Sequence, residues 1–296
     1  MFRTRDIYQE MCRKSDFLHK LSSDERSRLK LHLCKMYKDL ETVCDRHGLT
    51  MMMAFGSTLG AVRHKGFIPW DDDIDVFMPR SDYNKLIQEF ADDFPSNYVI
   101  YAPNSSNGAI ARFAKLVDKS TSFVEVENET NERHAGVFID IFPLDSISTN
   151  RLLNKFKRLA SMTLIYITAS VGHYQAHSKI YRKLMCGSNA GALNYWFRNS
   201  LGFIFSFMDI QRWYRIVDWF CNNSNDTGYV DYVQCSYRWS PLPSDMFFPP
   251  IRADFEGMQV YLPHLPEKYL EVVFGDWKQI PPEDQRPEHY VVDLKI

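Results

Sequence analysis

The chain has little that commits it to an oxidising compartment, to the lipid interior or to nucleic acid. Its six cysteines, Cys12, Cys34, Cys44, Cys186, Cys221 and Cys235, show no CxxC or CxxH spacing. That argues against a zinc site or a disulfide framework and reads as reduced, buried thiols. No uninterrupted apolar run approaches the roughly 20 residues that span a bilayer. Met1 to Asp6 leads into polar sequence with no apolar core of secretory type, so export is not expected. A formal charge of -2 over 296 residues excludes a surface that tracks nucleic acid along its whole length, and no nucleic-acid partner is expected. Internal repeats and low-complexity tracts are absent. What is present is a 45% hydrophobic composition, enough to build one large domain or two modest ones.

The N-terminal third has a readable order. Ser22 and Glu25 have the spacing of a capping box, and Leu29, Leu33, Met36, Leu40 and Val43 follow at helical period, predicting a helix over about 24 to 47 that stops at Gly48. Leu49 to Phe55 is an apolar run of strand length, after which Gly56-Ser57 turns the chain into a short helix. Asp73 to Met78 alternates acidic and apolar residues with period two, predicting a second strand that Pro79 ends. Ser81 is a candidate cap for a helix containing Tyr83, Leu86, Ile87 and Phe90. Extended pieces are expected near 98 to 101, 110 to 117 and 122 to 127. A very apolar strand follows, Gly136 to Phe142, with Asp140 in its middle.

Carboxylates two apart on a strand point to one face, so Asp73 and Asp75 project together. Two such charges repel unless a cation lies between them. Hard oxygen ligands at short spacing suit Mg²⁺ or Mn²⁺, with substrate phosphates completing the coordination. A solvated acidic turn has the same composition, but Trp70, Ile74, Val76 and Phe77 flank this run and favour a half-buried strand. Asp140, among apolar neighbours, needs a cation, a donor or a proton. It is a candidate third ligand or a base for an attacking hydroxyl. Gly56 and Ser57 are candidates for phosphate binding at a helix N-terminus. Arg63, His64, Lys65, Arg112 and Lys115 are cationic candidates for phosphate oxygens.

The run Gly56 to Val76, with Gly-Ser-Thr-Leu-Gly-Ala-Val-Arg-His-Lys-Gly and Trp-Asp-Asp-Asp-Ile-Asp-Val, resembles the signature of the LicD family, phosphocholine and alcohol-phosphate transferases related to fukutin and fukutin-related protein. The similarity continues through Phe113 to Asp118 and Phe138 to Asp145, and returns at Phe274-Gly275-Asp276-Trp277, Pro281-Pro282 and Arg286. It therefore covers most of residues 50 to 145 and the tail. The resemblance implies an α+β, nucleotidyltransferase-like fold of polymerase-beta type: a mixed sheet with flanking helices plus a helical insertion. It implies a metal site of Asp73, Asp75 and Asp140, and nucleotide or phosphate binding by Gly56, Ser57, Arg63, Lys115, Arg286 and His289. Where family members commonly carry two adjacent histidines, this chain has Pro287-Glu288-His289-Tyr290.

The implied activity is transfer of phosphocholine from CDP-choline to a sugar hydroxyl of a cell-surface glycan, such as lipopolysaccharide or teichoic acid. CDP-ribitol or CDP-glycerol is the alternative donor, and a catalytically inactive nucleotide-binding module is the third reading. The expected organisation is a catalytic core over 1–145, a helical insertion over 146–228, and a C-terminal segment over 229–296 that returns to the active site. A cytoplasmic location is expected, at most peripheral at the inner face of the membrane.

The insertion has its own composition. Residues 150 to 220 contain ten Lys and Arg against Asp209 and Asp218, a net charge of +8, among dense aromatics. Trp196, Phe197, Phe203, Phe205, Phe207, Trp213, Tyr214, Trp219 and Phe220 read first as the core of a helical subdomain with solvated charges around it. The competing reading is a lipid-linked acceptor's enzyme with a surface for anionic membrane.

Overall fold

A computed structural model of the chain describes residues 4–16, 18–126, 129–130, 133, 135–223, 227–236, 241–283, 286 and 290–296. Helix α1 (Thr4–Arg13) and a two-residue strand β1 (His19–Lys20) lead to the long helix α2 (Ser23–Arg46). The capping box is formed: the Glu25 amide donates to the Ser22 hydroxyl at 3.3 Å, and the Ser22 amide donates to the Glu25 carboxylate at 2.9 Å. Strand β2 (Met52–Met53) turns directly into α3 (Phe55–His64), and β3 (Asp75–Pro79) runs into α4 (Arg80–Glu89). Ser81 does not cap α4. Pro79 stands at the cap instead, because its fixed φ suits a helix entry and Arg80 turns inward as the first helical residue.

Strands β4 (Tyr98–Tyr101), β5 (Ala114–Asp118), β6 (Ser122–Glu125) and β7 (Val137–Ser146) follow. The central strands lie in the order β2-β3-β7-β5-β4, with β3 and β7 parallel and the other neighbours antiparallel. The architecture is thus mixed α/β. One face of this sheet packs on α2 through Leu29, Leu33, Met36 and Leu40 against Val76, Met78, Ile139 and Ile141. The other face, with Phe77 and Phe142, is covered by residues from the C-terminal segment, Phe247, Tyr269, Leu270 and Trp277 among them.

Four helices make up the segment after β7, hereafter the insertion: α5 (Arg151–Ala176), α6 (Lys179–Met185), α7 (Asn189–Phe205) and α8 (Ile210–Cys221). The expectation that its aromatics are simply buried is corrected. Trp213 is buried, but Trp196, Phe197, Phe203, Phe207 and Trp219 are exposed. The reason lies in how α5 and α7 meet. A Cβ on Gly202 would stand 2.3 Å from the Ser170 carbonyl oxygen, so the two backbones approach through small residues and leave the large ones outside. Gly202→Ala is expected to force them apart and to lower stability by about 1–3 kcal/mol, measurable by urea unfolding. None of the described helices is long and apolar enough to cross a membrane.

After α8, strand β8 (Tyr229–Asp231) pairs with the end of β7 and with β9 (Leu242–Pro243), with the one-turn helix α9 (Val233–Ser236) between them. Strands β10 (Ile251–Phe255) and β11 (Met258–Leu262) form an antiparallel hairpin. Helix α10 (Pro266–Phe274) and strand β12 (Tyr290–Lys295) complete the chain, β12 pairing with both β1 and β6.

Candidate active site

The register of three strands builds the centre. Asp75 on β3 lies opposite Asp140 on β7, and Asp140 lies opposite Lys115 on β5. Directly opposed residues share a face, so the three side chains form one row across the sheet. Lys115 Nζ is 2.9 Å from the Asp140 carboxylate and lies 3.4 Å from the centroid of the Phe138 ring. Burial pulls the Lys115 ammonium down, but Asp140, Glu125 and Asp75 outweigh it and hold its pKa above the ordinary lysine value. Burial pushes Asp140 up to about 6, against the pull of Lys115. Asp75 is raised well above the carboxylate range by burial first, and then by the charges of Asp73, Asp140 and Asp71.

The strand begins at Asp75, not at Asp73 as the alternation suggests. Residues 71 to 74 precede it as irregular backbone, entered by a turn in which the Asp71 amide donates to Ile68 O at 2.9 Å. That turn brings Asp71 back to α3. A Cβ on Gly56 would stand 2.8 Å from the Asp71 carboxylate, so the close approach this glycine permits is to Asp71. Ser57 is buried, and its hydroxyl accepts the Asp75 amide at 2.9 Å, while the Ala54 amide donates to Asp75 O at 2.8 Å. The first turn of α3 thereby fixes the first residue of β3. Phe55, at the entry of α3, has a φ of 38°, a strained value for a side chain of its size. Its amide donates to the Tyr269 hydroxyl at 3.0 Å, and its ring packs on Phe77, Phe142 and Tyr232.

The remaining sequence candidates lie elsewhere. Arg63 is at the far end of α3, where it donates to Trp277 O at 2.8 Å and ties the tail to the helix. Arg286 stacks over Trp70, the residue before the acidic run, at 4.4 Å from the ring centroid. His289 lies outside the described residues.

Two cavities meet at Lys115. A 160 Å³ cavity is lined by Asp72, Asp73, Lys115, Glu125 and Asp140, together with apolar residues of α2 and β7. A larger one, 470 Å³, lies between β5 and the insertion, with Arg112, Lys115, His173, Arg198 and Tyr214 on its walls. Burial, and then Arg198, lowers the His173 pKa to about 3, which keeps that imidazole neutral. None of the described residues lining the larger cavity is a carboxylate. Among the described residues no three ligating side chains stand close enough to hold a metal by themselves. Burial raises Asp75 first and the like charges of Asp73, Asp140 and Asp71 add to it; a divalent cation is a group that would relieve that repulsion.

Sequence reasoning missed Glu125, whose charge acts on both Lys115 and Asp140. It also missed the buried contact that carries the insertion. Arg80 makes a two-point ion pair with Asp145 at 2.7 and 2.9 Å and binds Asp218 of α8 at 2.8 Å. The one available signal was Asp145, a second carboxylate at the end of the apolar strand that carries Asp140.

Residues 48–161 match the family model described as LicD/FKTN/FKRP, nucleotidyltransferase domain. That span contains α3, the acidic run, Lys115 and Asp140. Over that span the chain is similar to the LicD family. It is 25% identical over 264 residues, 86% of this chain and 91% of the relative, to the lipopolysaccharide cholinephosphotransferase LicD of Haemophilus influenzae. Shorter matches of 63 and 58 residues, at 32% and 36% identity, join about a fifth of the chain to uncharacterised proteins of Rickettsia typhi and Rickettsia prowazekii.

Proposed function

We propose that this chain is a transferase that moves an alcohol phosphate, phosphocholine first, from a CDP-activated donor to a sugar hydroxyl of a lipopolysaccharide-type glycan. The observation that carries this reading is the row Asp75, Asp140, Lys115 across the sheet, with Asp73 and Asp71 beside it. The Haemophilus influenzae relative, named for that reaction, supports the substrate class. In this reading residues 1–145 are a nucleotidyltransferase-like core, 146–228 an insertion, and 229–296 a segment that returns to the site.

Asp73 and Asp75 would hold Mg²⁺ or Mn²⁺, which when bound neutralises charge on the diphosphate. Asp140, with its pKa near neutrality, is positioned to take the proton of the attacking hydroxyl. Lys115 holds that carboxylate and lines both cavities. Arg112 and Arg198 make the larger cavity a place for anionic groups, such as donor phosphates or an acidic acceptor.

The same lining supports a second reading. A quaternary ammonium favours aromatic faces and negative charge. The larger cavity offers Phe113 and Tyr214 but no carboxylate, whereas Thr130, Gln175 and Gln211 offer hydrogen bonds to a polyol. Ribitol or glycerol phosphate is therefore the alternative group. The test is CMP release from CDP-choline, CDP-ribitol and CDP-glycerol with lipopolysaccharide acceptors, the Haemophilus influenzae relative serving as positive control. Turnover of one donor with Mg²⁺, abolished by EDTA, is the expected result. If the control works and no donor yields CMP, the chain is a binding module and the transferase reading fails.

A further inference from the structure

The insertion is built inside out. On α7 the buried residues are Gly191, Asn194, Tyr195 and Gly202, while Leu193, Trp196, Phe197, Phe203 and Ile204 are exposed. At about 100° per residue, these five exposed positions fall in one stripe roughly 120° wide. Helix α5 buries Asn154, Ser161, Thr168 and Ser170 beside Ile165 and Val171, and it exposes Leu152, Phe156 and Leu159 at the i, i+4, i+7 positions of another stripe. The buried hydroxyls of Thr168 and Ser170 bond back to carbonyls of their own helix, those of Leu164 and Tyr166. Contact through small and polar residues, with apolar side chains facing outward, is how helices pack when their surroundings are not water alone. In water such a surface marks a docking site.

Charge identifies what docks there. Arg151, Lys155 and Arg158 each precede one of the exposed apolar residues of α5 by one position, and all three are exposed. On α8, Trp219 is 77% exposed in a shallow groove with Met208 and Ile216, flanked by Arg212 and Arg215. Of the two acids in this +8 segment, Asp218 is buried against Arg80, which leaves Asp209 as the exposed one. A second copy of the chain would set this positive face against itself. A bilayer with acidic headgroups supplies both the apolar depth and the opposite charge.

We propose that the exposed apolar residues of α5, α7 and α8 dock on membranes containing acidic phospholipid, the aromatic side chains at the headgroup boundary and the neighbouring Lys and Arg side chains on the headgroups. The surface is separate from the row of Asp75, Asp140 and Lys115, and the proposal stands whether or not the transferase reading does.

The experiment is co-sedimentation of the full chain with vesicles of phosphatidylcholine alone or mixed with phosphatidylglycerol, at low and at high salt. Binding to the mixed vesicles at low salt is expected to be at least about tenfold tighter than to the neutral ones, since several basic residues contribute together. The double variant Phe156→Glu, Trp219→Glu alters two exposed side chains, so it should keep its melting temperature and lose binding about tenfold or more. Absence of binding to acidic vesicles at low salt overturns the proposal. So does binding that the double variant leaves unchanged, which would mean loose ionic adsorption. A concentration-dependent dimer that the double variant dissolves would assign the face to a second copy and would equally overturn the membrane proposal. CMP release with a soluble acceptor is read separately, so failure here is distinguishable from failure of the transferase reading.

Discussion

Arg80→Met is expected to lower the unfolding free energy by about 3–5 kcal/mol, the usual cost of removing one partner from a buried ion pair. Arg80 is 2% exposed, and it joins Asp145 and Asp218, each buried. The remaining lone pairs are also used: Asp218 accepts from Gln234 at 2.8 Å and from Asn104 at 2.6 Å, and Asp145 accepts from the Asn223 amide at 3.3 Å. Burial raises Asp145 although Arg80 pulls it down, so without the guanidinium this carboxylate must protonate or draw in water. The loss should appear as a lower urea midpoint. Adding Asp145→Asn and Asp218→Asn to Arg80→Met should recover part of it, because both amides keep donors nearby and no unpaired charge remains. If Arg80→Met alone unfolds at the wild-type midpoint, the network contributes no net stability. Because Arg80 follows β3 directly and Asp218 sits on α8, the same contact sets the insertion against β3 and so the walls of the larger cavity.

The parts of the molecule that were legible are those with local causes. Helix α2 follows from Ser22, Glu25 and a 3.6-residue period, and β7 from an unbroken apolar run. The acid in that run was legible as an anomaly; its grouping with Asp75 came from the family resemblance, and its ion pair with Lys115 from neither pattern nor resemblance. Asp75 lies opposite Asp140 only because β3 and β7 pair in parallel, and no residue between them encodes that register. The Arg80 network spans 65 and 138 residues along the chain and is equally silent. Ser57 reads as a phosphate donor because a hydroxyl at a helix start often is one; that its oxygen also accepts the Asp75 amide, 18 residues away, is not written in the local sequence. Arg63, counted within the motif, stands seven residues along α3 from Gly56, about 10 Å at helical rise, so sequence proximity was not spatial proximity. The insertion shows a further limit. Periodicity marks a stripe of Leu193, Trp196 and Phe197, but the same stripe serves a core or a docking face, and only the packing of Gly202 against Ser170 decides which.

Asp75→Asn is expected to cost about 10²–10⁴-fold in CMP release, the range for loss of a positioned catalytic group, without destabilising the chain. The two effects share a cause. Burial and the neighbouring Asp73, Asp140 and Asp71 all raise the Asp75 pKa, so the folded state resists its ionisation. A carboxyl raised in this way gives its full stability below the unfolded value near 3.9 and loses it as pH rises toward the folded value. At neutral pH the wild type therefore carries the cost of this buried, acid-flanked carboxyl, and the isosteric amide does not. Measured with EDTA present, the melting temperature of Asp75→Asn should equal or exceed that of the wild type. Lys115→Met should behave in the opposite way: it removes the cation 2.9 Å from Asp140, leaves that carboxylate mostly buried among acids, and should lower the melting temperature together with activity. A residue held for stability alone would lose both properties when changed. If Asp75→Asn melts well below the wild type, the acids at this site stabilise one another through bonds the amide cannot make, and the like-charge account of the row is wrong. If it melts as expected but retains full turnover, Asp75 is a bystander to the chemistry, and catalysis must then be sought at Asp73 and Asp140.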